Sequence, residues 1–347
     1  MSNTEIDPAA FVCTDGGAPG PESVCDGGVP VEIITARDVP LGGPRAMNVR
    51  RTLPQRQRST IGAWCFADHY GPDDVTVSGG MDVAPHPHTG LQTASWLFEG
   101  TIAHRDSGGV TADVLPGEIN LMTSGAGICH SETSTPDTTV LHGVQLWIAL
   151  PSESRNSPRA FENHKPPLTR FDGGSALVFI GSLLGSTSPV TTHTPLLGAE
   201  VRLDPHTSVT LDVDPDFEHG LLVDTGDAVL LEGVHVPKDT IGYTGIGATA
   251  LHLANSGDDV ARLVLLGGTP FTEELVMFWN FLGRSTDEIR QFRDEWQAGG
   301  GRFGRVEDYV GHGGPNRNAQ GMSWLPAPEL PVTPLRPRRN PPPHARP

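Results

Sequence analysis

Two short stretches of this chain carry side chains that could do chemistry together. "PHPHTG" (residues 85–90) holds His86 and His88, and "GAGICHSE" (residues 125–132) holds His130 and Glu132. Each pair is spaced i, i+2, and in a strand that spacing puts both side chains on one face. Forty-two residues separate His88 from His130, room for three or four strands to wrap the chain back across a small barrel. Closing such a barrel brings both pairs to one interior point. Three imidazoles and a carboxylate suit a divalent first-row metal such as Fe, Mn, Cu, Ni or Zn, with nitrogen and oxygen donors at about 2.0–2.2 Å for zinc. On six-coordinate iron, four protein ligands leave two positions for substrate and dioxygen. Singly, each pair says little. An HxH is more often a pair of loop histidines, and an HxE is often a simple hydrogen-bonded pair. Jointly, inside a barrel, they point to a metal centre.

The elements that must position these residues are strands. The 347 residues include 42 Gly and 32 Pro, with 37% hydrophobic residues, a profile that favours short strands and turns over long helices. "LQTASWLFEG" followed by "TIAHRD" reads as a hairpin turning at Glu99 and Gly100. "GVTADVL", "GEINLMTSG" and "HGVQLWIAL" follow as further strands, the last an apolar run suited to a buried position. After a looser stretch at 152–173, strand patterns resume from "SALVFIGSL" to "ARLVLLGG". The strand-turn-strand order of "FEHGLLVDTGDAVL" is similar to that of "TASWLFEGTIAHR", which suggests two stacked β-barrels of one type. One helix is expected. Ser285 and Glu288 form a capping box, Ile289, Phe292 and Trp296 share a face, and Gly299 ends it.

The flanks differ from this body. Residues 1–30 are poor in apolar side chains and read as a disordered tail. Residues 313–347 are proline-rich, with Arg336, Arg338 and Arg339 between the prolines, and read as an extended, disordered tail. The body divides into a first barrel at 31–155 and a second at 156–312.

The formal net charge is −17, with a pI near 5.1. Such a surface repels phosphate backbones and anionic lipid, so direct nucleic-acid and membrane partners are disfavoured. No run of about eighteen apolar residues marks a membrane span, and "MSNTEIDPAA" lacks the pattern of a secretory leader. The four cysteines (Cys13, Cys25, Cys65, Cys129) form no CxxC pair and read as reduced thiols in a cytoplasmic protein. Cys129 alternates with His130 and should point away from the metal.

"HPHTGLQTASWLFEGTIAHRDSGG" and "LPGEINLMTSGAGICHSE" resemble the two signature stretches of the pirin family, within the cupin superfamily. "HGVQLWIALP" and "LLGGTPFTEELV" also resemble pirin segments, so the likeness spans about residues 31–298. It implies an all-β fold of two tandem cupin barrels (double-stranded β-helix, or jelly roll) with a short C-terminal helix. It implies one metal, commonly Fe(II), in the first barrel, on His86, His88, His130 and Glu132. It also implies a quercetin 2,3-dioxygenase type of oxidoreductase acting on a flavonol, with Glu132 as the candidate proton acceptor. The other activity described for the family is redox-sensitive, iron-binding regulation through a protein partner. Met122, Leu146 and Trp147 are candidates for the walls of a pocket. One departure stands out: pirins carry a glutamate where this chain has Gln92, which puts a supporting role for that position in doubt.

The second half lacks the ligand set. His193, His206, His219, His235 and His252 are dispersed and read as structural or surface residues, and Asp224, Gly226 and Asp227 read as turn residues.

Overall fold

A computed structural model describes residues 30–40 and 47–342; the tail expected at 1–30 and Cys13 and Cys25 therefore lie, Pro30 apart, outside the described residues. The chain forms two barrels of one topology. β1 (Glu32–Ile34) comes first. β2 (Arg37–Pro40), β3 (Asn48–Leu53), β4 (Trp64–Asp74), a helical turn α1 (Val75–Ser78), β5 (Asp82–His88), β6 (Leu91–Glu99), β7 (Ile102–Asp106), β8 (Thr111–Val114), β9 (Ile119–Thr123), β10 (Ile128–Ser134), β11 (Val140–Ala149) and β12 (Ala160–His164) build the first barrel. Its large sheet runs β12-β9-β6-β11-β4-β3-β2 and its small sheet β5-β10-β7-β8.

The second barrel repeats this plan. β13 (Leu168–Phe171), β14 (Gly174–Ile180), a hairpin of β15 (Ser182–Leu183) and β16 (Ser186–Thr187), β17 (Leu196–Leu203), β18 (Thr207–Asp212), β19 (Glu218–Thr225), β20 (Val229–Leu231), β21 (Val234–His235), β22 (Ile241–Thr244), β23 (Ala250–Asn255) and β24 (Ala261–Gly268) follow in order. The sheets are β1-β22-β19-β24-β17-β14-β13 and β18-β23-β20-β21. Element by element they match the first barrel, so the two-barrel, all-β architecture expected from the sequence is the one observed.

Two local expectations need correction. A turn does fall at Glu99–Gly100, where Gly100 has φ +87 and an added Cβ would meet the Val140 carbonyl oxygen at 2.4 Å. But β6 and β7 are not hairpin partners. β6 pairs with β9 and β11, and β7 with β8 and β10; the turn is the corner where the chain passes from one sheet to the other. Nor does the chain divide cleanly near residue 155. β12 pairs with β9 of the first barrel, while β1 pairs with β22 of the second.

The two large sheets pack face to face. Ala94, Trp96, Ile119, Leu121, Val144, Leu146 and Ile148 meet Phe179, Ile180, Leu222, Val264 and Leu266 in one buried apolar layer. Trp64 Nε1 donates across it to the Leu197 and Gly267 carbonyls, both at 3.1 Å, and Trp96 Nε1 to Glu200 at 2.8 Å. Strands such as β11 are thus buried on both faces, which is why "HGVQLWIAL" reads as a run rather than an alternation.

β25 (Val276–Phe278), β26 (Phe281–Gly283) and α2 (Thr286–Gln297) return to the first barrel. Ser285 caps α2 by accepting from the Glu288 N–H. The reciprocal half of the capping box slips by one residue, since the Glu288 carboxylate accepts from the Arg284 N–H at 2.7 Å. Ile289 and Trp296 are buried and Phe292 packs beside them. Beyond β27 (Val310–Gly311) and β28 (Gly314–Pro315), the proline-rich segment is extended as expected but not free. Leu325 and Ala327 are buried, the Leu325 N–H donates to Pro85 O, and Trp296 Nε1 donates to Leu325 O. Asn340 brackets Ser59 and Thr60. Proline fixes the extended form, and these apolar anchors fix its course, so the expected disorder does not hold for residues 313–342. No helix among the described residues is long and apolar enough to cross a membrane.

Candidate metal centre

The inner face of the small sheet in the first barrel collects six ionisable groups. In the β5–β10 register His130 stands opposite His86, and in the β10–β7 register His130 stands opposite Asp106 and Glu132 opposite His104. A bulge between His130 and Glu132 adjusts the aim of the second pair. His86, His88 and His130 are each 0% exposed and Glu132 is 1% exposed. The donor atoms of His86, His88 and His130 lie within 4.8 Å of one another, and those of His104, His130 and Glu132 do so as well. His130 belongs to both trios: three of the four residues read from the sequence, His86, His88 and His130, come together in one, and the fourth, Glu132, joins His130 in the other with His104.

The geometry fits a cation. His86 Nδ1 lies 2.9 Å from the Ala84 carbonyl, and a carbonyl only accepts, so Nδ1 carries the proton and Nε2 the lone pair. That Nε2 is buried with no hydrogen-bond partner. His88 Nε2 and His130 Nε2 are 3.0 Å apart, close to the separation of neighbouring donors on one ion at about 2.1 Å. Burial pushes the pKa of all three histidines well down, so they present neutral imidazoles, the form that binds metal. At His88 the backbone of Asn280, from the turn between β25 and β26, works against that fall.

His104 was not picked out from the sequence. The signal is present: His104 and Asp106 form another i, i+2 pair, in "TIAHRD", between the two stretches along the chain and on the strand next to β10 in the sheet.

Facing these groups, the large sheet presents its inner side in two rows. Phe161, Met122, Thr93, Trp147 and Phe66 are successive cross-strand neighbours. Trp147 meets His88 edge-on at 5.1 Å, and Phe161 lies 4.9 Å from the His104 ring. The next row is polar: Asn163, Asn120, Ser95, Gln145, Asp68 and Arg51. Arg51 grips Asp68 with two bonds of 2.7 Å, Ser95 donates to Gln145 Oε1 at 2.8 Å, and Asn163 donates to Asn120 Oδ1 at 3.0 Å. Four buried atoms on this side have no partner: Asn120 Nδ2, Gln145 Nε2, Trp147 Nε1 and Tyr70 Oη. Burial, then the nearby charges of Glu132 and Asp68, push the Tyr70 hydroxyl pKa well up, so it stays a donor.

Two residues weighed in the sequence face elsewhere. Leu146 belongs to the layer between the barrels, so it lines no pocket here. Gln92 also points toward the second barrel, with its Nε2 donating to Thr123 Oγ1 at 2.9 Å and the Thr191 carbonyl at 3.0 Å. Cys129 lies in the apolar core outside the histidine cluster, and burial pushes its thiol, like that of Cys65, up to about 12.

Asp224 was expected in a turn. It ends up buried in β19, where its Oδ1 accepts from His69 Nε2 at 2.7 Å and His142 Nε2 at 2.6 Å, and its Oδ2 from Arg262 Nε at 2.5 Å. Two histidines and a carboxylate could hold an ion, but protons and guanidinium groups already fill this cluster. Arg262 Nη2 lies 3.3 Å from His142 Nδ1, so that nitrogen accepts and Nε2 carries the hydrogen toward Asp224. With Arg50 and Asp239 against His69, the trio is a polar clamp between the barrels. Elsewhere in the second half, His206, His235 and His252 are exposed, while His219 is buried beside Gly267.

Comparison with known proteins agrees with this architecture. The family model "Pirin" matches residues 46–148, and "Pirin C-terminal cupin domain" matches residues 198–304. A Pseudomonas aeruginosa protein provisionally named a quercetin 2,3-dioxygenase is 42% identical over 84% of this chain and 90% of its own length. This chain belongs to the pirin family. A pirin-like protein of Caulobacter vibrioides is 32% identical over 77% of the chain and 93% of its own length. The crystal structure of a quercetin 2,3-dioxygenase from Acinetobacter baumannii superposes on this pirin with a TM-score of 0.80, at 35% identity, covering 88% of this chain and 97% of that one. The likeness runs through both barrels, so the pirin domains account for the body of the chain.

Proposed function

We propose that this pirin holds one divalent first-row ion, Fe(II) before Mn, Ni, Cu or Zn, on His86, His88, His130 and Glu132, and that it oxidises a flavonol in the manner of a quercetin 2,3-dioxygenase. The observation that carries this reading is the facing pair of walls: neutral, buried imidazole donors on one side and unpartnered hydrogen-bond donors on the other. Bound there, the ion would lower the pKa of a coordinated hydroxyl and present it for oxidation. The protein's own groups do the rest. Trp147, Phe66, Met122 and Phe161 offer an apolar row against which an aromatic ring packs. Gln145 Nε2, Asn120 Nδ2, Trp147 Nε1 and Tyr70 Oη need acceptors, and a flavonol brings several oxygens. Glu132, once its bond to the ion loosens, would take the hydroxyl proton. Burial of Phe66, Thr93, Met122 and Trp147 beside the histidines limits water at the reacting centre. The buried, protonated thiols suit a cytoplasmic setting, where thiols stay reduced.

Elemental analysis should find about one metal per chain, and His86→Ala with His88→Ala should empty the site. Quercetin added without oxygen, followed by oxygen, should then lose its flavonol absorbance with matching oxygen uptake. A protein that keeps its metal but turns over no flavonol with any of these ions would sink the enzyme reading. It would leave the redox-sensitive regulator acting through a protein partner.

A further inference from the structure

We propose that Asp106 and His104 form a one-directional relay that fixes the tautomer of His130, making His104 a positioning residue for the metal centre. The inference rests on reading His130 as a ligand. Asp106 is anchored first: its Oδ1 accepts from the Gly108 N–H at 2.7 Å and the Val110 N–H at 3.2 Å. Its Oδ2 faces His104 Nε2 at 3.3 Å. A carboxylate oxygen accepts, so His104 carries its hydrogen on Nε2 and its lone pair on Nδ1. His104 Nδ1 in turn faces His130 Nδ1 at 3.5 Å. His130 therefore donates from Nδ1, and its lone pair sits on Nε2, the atom 3.0 Å from His88 Nε2. Each link takes its polarity from the one before, and the direction starts at the two amides that pin Asp106. His86 has a separate support, the Ala84 carbonyl, while His88 Nδ1 is buried with no hydrogen-bond partner. His130 depends on the relay.

Asp106→Asn tests this with a change of one atom. The asparagine Oδ1 can keep the Gly108 and Val110 amides, which leaves its Nδ2 donating toward His104 Nε2. The relay then reverses: His104 carries its hydrogen on Nδ1, and His130 is driven to carry its own on Nε2, where the ion should sit. Zinc(II) affinity, measured against a chelator of known strength, should fall about 10- to 100-fold. Nitrogen NMR of the metal-free protein should show the His130 proton moving from Nδ1 to Nε2. A purely structural Asp106 would shift neither. His104→Gln, whose amide oxygen still accepts from His130, should bind zinc more tightly than His104→Phe, which guards against misfolding of one variant. Affinity within about threefold of wild type for Asp106→Asn, an unmoved proton, or equal affinities for the two His104 variants would overturn the relay. Full metal retention by the His86→Ala, His88→Ala protein would instead overturn the ligand reading, and the relay with it.

Discussion

In the first barrel the inner face of the small sheet carries His86, His88, His104, Asp106, His130 and Glu132. At the matching positions of the second barrel, β18, β20 and β23 carry Val209, Leu211, Val229, Leu231, Leu251 and Leu253. The large sheets differ in the same way. Asn120, Ser95, Gln145, Asp68 and Arg51 cross one interior, while Leu221, Leu265, Ala199 and Val178 cross the other. One strand order therefore supports two kinds of interior. Leucine and valine hold the second barrel shut by packing alone. The first accepts buried polar groups that cost free energy unless paired, and the unpartnered atoms cluster where an ion and an oxygen-rich ligand would pair them. The topology sets where side chains point, and function is written in which side chains point inward.

The seam between the barrels should break hardest. Burial alone would raise the Asp224 pKa, but hydrogen bonds from His142 and His69 overcome it and hold the carboxyl far below the usual range. The folded state thus binds fewer protons than the unfolded one near pH 4. The contribution is complete above the unfolded value of about 3.9 and fades as pH falls below it. Asp224→Asn should cost about 3–5 kcal/mol at neutral pH, because it leaves charged Arg262 and two histidines poorly matched. Its denaturant midpoint should also vary less between pH 5 and 3 than that of wild type. An unchanged acid profile would show that the clamp does not tie the barrels together.

A cut inside the second barrel should be smaller and silent at the metal. Leu265→Ala removes a fully buried side chain between Leu221 and Ala199 and should lower stability by about 2–5 kcal/mol. Metal content per folded chain should stay at the wild-type level. A drop in metal content alongside full folding would mean that the two interiors are coupled.

The facing pairs His86/His88 and His130/Glu132 were legible because strand alternation is a local rule: i, i+2 fixes a shared face whatever the rest of the chain does. The helical period gave the α2 stripe in the same local way, and strand alternation also reached Cys129. It could not say that Asp224 leaves the turn it seemed to belong to, because His69, His142 and Arg262 come from three other strands. It could not distinguish a hairpin from a sheet-to-sheet corner at Gly100, since both need the same glycine. Nor could composition show that Leu325 and Ala327 anchor a proline-rich segment that otherwise looks like a passive tail. In each case the missing information is which distant surface a locally well-described element meets.

Gln92 gives the finest test of the contrast, because the family resemblance left a supporting role at this position in doubt and the fold places the side chain against the second barrel. Its side-chain N–H groups serve the Thr123 hydroxyl and the Thr191 carbonyl. Gln92→Glu would restore the residue that pirins carry, but it removes those donors and sets a carboxylate against a carbonyl in a fully buried position. The expected cost is about 1–3 kcal/mol of stability, read from the thermal midpoint. Metal content should not change, and flavonol turnover per bound ion should stay within about threefold of wild type, because the strand's alternation turns this side chain away from His88 and His130. A large gain in turnover on adding the glutamate, with stability intact, would mean that the side chain can reach the first interior after all.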